Sequence, residues 1–168
     1  MEKKLTLKLN EEFPELFVFR NFHHANYFVV ECDDGWYDLI HTALSSIVLY
    51  IKNNHKQCVI IAELQEKFRF TPEDLSSVQM QRLERLNNGT ESYPEFIDYP
   101  EVQQIKEKFG TLRLYLRSND PFIRGVISMA ESYSAYVCER CGDVGGSHQD
   151  GWARTLCDNC FRLHQEKK

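Results

Sequence analysis

The feature that most constrains this chain is a set of four cysteines near its C-terminal end, Cys138-x-x-Cys141 and Cys157-x-x-Cys160. Two intervening residues let both thiols of a pair turn toward one tetrahedral cation. The fifteen residues between the pairs fall inside the spacing of four-cysteine zinc sites. The pattern predicts one structural zinc ion per chain, held by Cys138, Cys141, Cys157 and Cys160. Thiolates fill all four positions, so none stays open for water or substrate, as catalytic zinc requires. His148 and His164 are the competing ligands, and each would have to displace a well-spaced cysteine.

The residues around the cysteines predict a fold for the module. Cys138-Glu-Arg-Cys141-Gly142 has the form of a zinc knuckle, with Gly142 free to turn tightly and aim its amide at a thiolate. Residues 144–155 read as an irregular hairpin around Gly145-Gly146 and Gly151. Cys157 to Cys160 then stand at the first turn of a short helix over 161–168, whose terminal amides favour thiolate charge. Knuckle, hairpin and helix in this order resemble a treble-clef or zinc-ribbon finger.

At 168 residues the chain fits one domain, or one domain with a metal-stapled appendage. Its 11 Phe, 8 Tyr and 2 Trp supply a real core. The net charge of −5 argues against nucleic-acid binding through bulk positive charge. No apolar run is long enough to span a bilayer, and the opening Met1-Glu2-Lys3-Lys4 and Leu5-Thr6-Leu7-Lys8-Leu9 are too polar for a signal-peptide core. A reducing cytoplasm is therefore expected, which disfavours disulfides among the four cysteines. Cys32 and Cys58 read as buried small hydrophobes.

The expected class is α+β: a small antiparallel hairpin sheet packed with amphipathic helices, over a core of residues 1–137. A helical insertion is expected at about 56–100 and the zinc module at 138–168. Residues 1–20 predict a short helical or irregular segment anchored by Phe13, Leu16, Phe17 and Phe19, with Pro14 placed to start a helix. Tyr27 to Cys32 reads as a strand. Asp34 is placed to cap a helix whose apolar face is Trp36, Ile40, Leu44, Ile47, Val48 and Ile51, and Asn53-Asn54-His55 to end it. Trp36 is expected to be buried, and a turn burying an indole also accounts for Trp152 after Asp150-Gly151.

Val59, Ile60, Ile61 and Leu64 fit either strand or helix. Thr71-Pro72-Glu73-Asp74 predicts a helix start followed by Leu75, Val78, Arg82, Leu83 and Leu86, stopped by Asn87-Asn88-Gly89. Two X-Pro steps, Tyr93-Pro94 and Tyr99-Pro100, favour extended or turn backbone. Residues 102–117 predict a hairpin turning at Phe109-Gly110, with Ile105 opposite Leu114 and Glu107 opposite Leu112, although a helix competes over 102–109. Asp120-Pro121 opens the last long helix, with Phe122, Val126, Ala130, Tyr133 and Val137 as its buried stripe, running into Cys138.

Three functional readings follow from these residues. In the zinc module five acids (Glu139, Asp143, Asp150, Asp158, Glu166) offset five bases (Arg140, Arg154, Arg162, Lys167, Lys168), and four thiolates on a dication add about two negative charges. That finger is poorly suited to hold phosphate. The basic candidate is the hairpin face of Lys106, Lys108, Arg113, Tyr115 and Arg117, where a base could stack on Tyr115 between cations; the plain alternative is a solvated strand face. A hydrolase reading needs His23, His24, Asp33, Asp38 and His41 to converge in one pocket, Asp34 beside them having a capping role. With a closed metal site, mild acidity and many aromatics, the leading expectation is a non-catalytic protein that binds another protein. Nucleic acid is the second choice and a membrane is not expected.

Several segments together resemble a family of small, mostly uncharacterised zinc-finger proteins of phages, prophages and bacteria. They are Phe13-Pro14-Glu15-Leu16-Phe17, Cys32-Asp-Asp-Gly-Trp-Tyr-Asp-Leu-Ile40, Ile105-Lys-Glu-Lys-Phe-Gly-Thr-Leu-Arg-Leu-Tyr115, Ala130-Glu131-Ser132, Cys138-Glu-Arg-Cys-Gly142 and Arg154-Thr-Leu-Cys157. The resemblance covers most of the chain outside residues 53–100. It implies a zinc-binding accessory protein, with a host factor or defence system as its target if the chain is phage-encoded, and it implies no activity. Members of that family often carry histidine where Cys160 stands here.

Overall fold

The computed structural model describes residues 1–18 and 30–166. The chain divides into two compact units, one of Met1–Val48 with Tyr99–Lys168 and one of Leu49–Asp98. Residues 138–166 belong to the first unit with the core.

The first unit is built on a hairpin of β2 (Val102–Lys108) and β3 (Thr111–Leu116). Its register is the one the apolar pattern requires, with Ile105 opposite Leu114 and Glu107 opposite Leu112. Phe109 and Gly110 both adopt positive φ, 55° and 76°, which suits a two-residue turn matched to strand twist. Strand β1 (Val30–Glu31) adds in parallel beside β2, so the sheet carries one parallel pair beside the expected antiparallel one. Of the expected strand over 27–32, residues 27–29 lie outside the described residues, as does Phe19.

Helix α1 (Lys3–Glu12) ends before Pro14, which stands in a turn rather than at a helix start. That turn buries Phe13, Leu16 and Phe17, and the Leu16 carbonyl accepts the Val102 amide at 2.9 Å. A 3-10 turn, Asp34–Trp36, leads into helix α2 (Tyr37–Phe70). Asp34 does not cap α2: its carboxylate accepts the Glu2 amide at 2.6 Å. The predicted stripe Trp36, Ile40, Leu44, Ile47, Val48 and Ile51 is buried throughout.

Helix α4 (Pro121–Tyr133) starts where expected, with the Asp120 side chain accepting the Ile123 amide at 3.0 Å. Of its expected stripe, Ala130 is buried and Val126 and Val137 are partly buried against the core, whereas Phe122 and Tyr133 are exposed and Ile123 is buried in place of Phe122. The helix stops at Tyr133, and a 3-10 turn (Ser134–Tyr136) separates it from Cys138. Side chains here cover the β3 edge: Ser134 accepts the Leu112 amide and Glu131 the Leu114 amide, both at 2.9 Å.

In the second unit α2 passes through Asn53-Asn54-His55, which do not end it, and carries Val59, Ile60, Ile61 and Leu64 as helix. Asn54 instead bonds the Glu95 carbonyl (2.8 Å) and the Ile97 amide (3.1 Å), while the His55 ring stacks on Phe96 at 4.3 Å. Helix α3 (Ser77–Asn87) starts later than expected, with Ser76 and Gln79 forming a capping box. Thr71-Pro72-Glu73-Asp74 forms only a 3-10 turn. Ile61, Leu64, Leu83 and Leu86 make a small core, and Val78 is exposed.

Candidate metal centre

The C-terminal module follows the predicted order. After the knuckle come β4 (Gly146–Asp150) and β5 (Trp152–Leu156), turning at Gly151, and then helix α5 (Asp158–Gln165). Cys157 is the N-cap of α5 and Cys160 lies in its first turn, a few residues earlier than the sequence placed the helix.

The ligand atoms of Cys138, Cys141, Cys157 and Cys160 all lie within 4.8 Å of one another, and the four are free thiols. The Cys141 and Cys157 sulfurs are 3.6 Å apart. A tetrahedral ion with bonds of ~2.3 Å sets sulfur–sulfur distances of about 3.8 Å, whereas a disulfide needs ~2.05 Å. The four cysteines can thus hold one metal ion, and the all-sulfur tetrahedral set suits zinc.

The thiols differ in surroundings. The Cys160 amide donates to the Cys157 sulfur at 3.4 Å, and that bond holds the Cys157 thiol below its usual range. Desolvation pushes Cys160 up to about 11. It also raises Cys141, although that residue as a whole is exposed. Without a cation, then, Cys141 and Cys160 favour protons; a dication reverses that preference.

Gly35 is the residue that seats the knuckle. A Cβ built there would lie 2.2 Å from the Cys138 carbonyl oxygen, 2.5 Å from the Gly142 nitrogen and 2.7 Å from the Cys141 nitrogen. Its amide donates to the Glu139 carbonyl at 2.8 Å. Next to it Trp36, wholly buried, donates its indole N–H to the Val137 carbonyl at 2.8 Å. Gly142 has φ +83°, and its amide donates to the Cys138 carbonyl at 2.9 Å rather than to a sulfur. In the sequence Asp34-Gly35-Trp36 reads as a helix cap and a buried indole, without a contact to residues 138–142. Its signal as a docking element was the small residue beside a buried indole.

A second seat comes from the hairpin tip. Thr155 donates to the Gly110 carbonyl at 2.6 Å, and its own carbonyl accepts the Glu139 amide at 2.9 Å. Glu139 is buried with one carboxylate oxygen on Arg154 at 2.8 Å and the other without a partner. Burial pushes its carboxyl up to about 7, against the lowering pull of Arg154. Trp152 is exposed rather than buried, with its indole N–H directed at Glu107 at 3.3 Å.

The remaining site residues are placed as follows. His148 stacks on Phe161 at 4.0 Å and lies 3.1 Å from the Leu156 carbonyl; neither it nor His164 joins the sulfur cluster. Lys106 and Arg113 are cross-strand partners, and the Lys106 ammonium stands 5.5 Å from the Tyr115 ring centre. Lys108 lies over Phe109 instead, at 5.4 Å. Arg113 is turned onto its own strand, donating to Thr111 and to the Leu112 carbonyl, both at 2.7 Å. The Arg117 amide bonds Glu101 past the end of β3. His23 and His24 lie outside the described residues, His41 pairs with Glu12 at 3.0 Å, and Asp34 is held by Glu2.

No helix among the described residues is long and apolar enough to cross a membrane. No protein-family model, curated protein or solved structure matches the chain.

Proposed function

We propose that this chain is a zinc-stabilised, non-catalytic protein that acts by binding another protein. The observation that carries the reading is the packing around the four sulfurs. Gly35 meets the knuckle backbone at close range and accepts no side chain there, and its amide bonds the Glu139 carbonyl, which fixes the metal loop to the core. That is the work of a structural metal, and a four-sulfur shell leaves no coordination position for a reactant. The first unit nevertheless leaves large apolar side chains exposed beside that loop, including Met129, Tyr133 and Tyr136. The resemblance to phage and prophage proteins supports a host protein as the partner. The test is affinity purification of the full chain from its native host or infected cell, with protein and nucleic acid both identified. A protein partner retained after nuclease treatment is the expected result, and recovery of nucleic acid alone would overturn the reading.

Nucleic-acid binding is the second reading, favoured by Lys106, Arg113 and Tyr115 sharing one strand face. Three observations weigh against it. Arg113 is engaged with its own strand, Glu31 is the parallel-strand partner of Lys106, and the chain carries a net charge of −5. Oligonucleotide binding with a steep salt slope, abolished by reversing Arg113 and Arg117, would favour it.

A further inference from the structure

We infer that a groove beside the metal loop receives a basic side chain, that of an arginine or a lysine, from the partner protein. The inference rests on the protein-binding reading above. The groove encloses about 470 Å³ and is lined by Gly35, Asp38, Leu39 and Thr42 from the start of α2, by Met129 and Tyr133 from α4, and by Val137 and Gly142. That volume is within the range of specific ligand pockets.

The groove combines apolar walls with one carboxylate, that of Asp38. Leu39 and Val137 are half-buried, and Met129 and Tyr133 are each 57% exposed, so its walls are open to solvent and apolar. Gly35 and Gly142 leave it bare of side chains next to the knuckle, Gly35 because any Cβ would strike backbone and Gly142 because of its positive φ. Among the described residues of the lining, Asp38 alone is charged. The nearby cation Lys8 stands over the Tyr37 ring and 3.8 Å from Glu12, and it also feels the Asp38 carboxylate.

Negative groups gather at the groove, set against the N-terminal end of α2, which carries partial positive charge where Asp38 stands in its first turn. The Asp38 carboxylate is joined by the C-terminal end of α4 at Tyr133, which carries partial negative charge. A four-thiolate zinc cluster one residue from Gly142 adds about two further negative charges. An apolar side chain filling the groove would desolvate Asp38 without compensating it, and an acidic one would meet like charge. A long basic side chain satisfies both halves. Its methylene stem lies along Leu39, Met129 and Tyr133, and its head pairs with Asp38 and the Tyr133 face.

The test uses the zinc-loaded full chain, ¹⁵N-labelled, titrated with N-acetyl-arginine methylamide and separately with the norleucine and glutamate analogues. Saturable shifts are expected at Asp38, Leu39, Met129, Tyr133 and Gly142 with the arginine probe alone. Asp38→Asn should weaken that binding about fivefold or more. No saturable shift, an equal response to norleucine, or an unchanged affinity in Asp38→Asn overturns the inference. Repeating the affinity purification with Asp38→Asn separates the two levels. A partner recovered equally by both proteins removes the groove assignment and leaves protein binding intact, whereas failure to recover any protein partner removes both.

Discussion

Gly35→Ala tests whether the Asp-Gly-Trp turn is the seat of the metal loop. The added Cβ meets three backbone atoms at 2.2, 2.5 and 2.7 Å, and no flexible side chain is there to yield. Restoring ordinary contact needs the knuckle to withdraw by about 1 Å, in the range where overpacking costs about 1–3 kcal/mol. That movement also loosens the Gly35 amide bond to Glu139 and the Trp36 indole bond to Val137, each worth about 0.5–1.5 kcal/mol. The sum is about 2–6 kcal/mol, a large fraction of ordinary domain stability. With a urea slope of about 2 kcal/mol/M, the midpoint should fall by about 1–3 M. Tryptophan fluorescence reads this directly, because Trp36 and Trp152 both lie in the first unit. Gly125→Ala is the control. A Cβ there meets nothing within 4 Å inside α4, so it should stabilise by about 0.5–1 kcal/mol. A Gly35→Ala midpoint within about 0.5 kcal/mol of wild type, measured by the same slope, would refute the seating argument.

Trp36→Ala should destabilise the first unit by about 3–5 kcal/mol in urea unfolding, since a fully buried indole is removed and the Val137 carbonyl loses its donor. Ser134→Ala should cost about 1–3 kcal/mol in the same assay by orphaning the buried Leu112 amide, whereas Ser132→Ala, at an exposed site, should cost little. Zinc affinity should rise with pH between about 6 and 8, because raised thiols at Cys141 and Cys160 must lose protons to bind. Log K against pH should rise with a slope of at least about two in chelator competition, one proton from each raised thiol, and a flat profile would contradict thiolate ligation. The Glu139 carboxyl should titrate near about 7 by ¹³C NMR and higher still in Arg154→Met, because Arg154 is the group that lowers it.

What the sequence disclosed and what it concealed divide by the range of the interaction. The β2–β3 register was legible because Phe109-Gly110 fixes the turn and one slip would expose Ile105, Leu112 and Leu114. The metal residues were legible because each pair needs only two intervening residues and a cap at Cys157. The α2 face from Trp36 to Ile51 follows from a 3.6-residue period alone. Gly35 was not legible, because what excludes its Cβ comes from residues 138–142, a hundred positions away. Asn53-Asn54-His55 misled for the same reason. These residues resemble a helix stop, yet Asn54 and His55 are docking points for Glu95, Phe96 and Ile97, and those contacts override weak local propensity. The α4 stripe kept Val126, Ala130 and Val137 in the core but not Phe122 and Tyr133, which stand exposed while Ser134 and Glu131 bond the β3 edge, a contact no local pattern announces.

The central claim is that the four cysteines hold one structural zinc ion, and the most direct measurement is metal content with X-ray absorption at the zinc edge on the purified full chain. One zinc per chain with four sulfur neighbours at ~2.3 Å is the predicted result. A chain without zinc, a shell containing nitrogen or oxygen, or disulfides among Cys138, Cys141, Cys157 and Cys160 would contradict it.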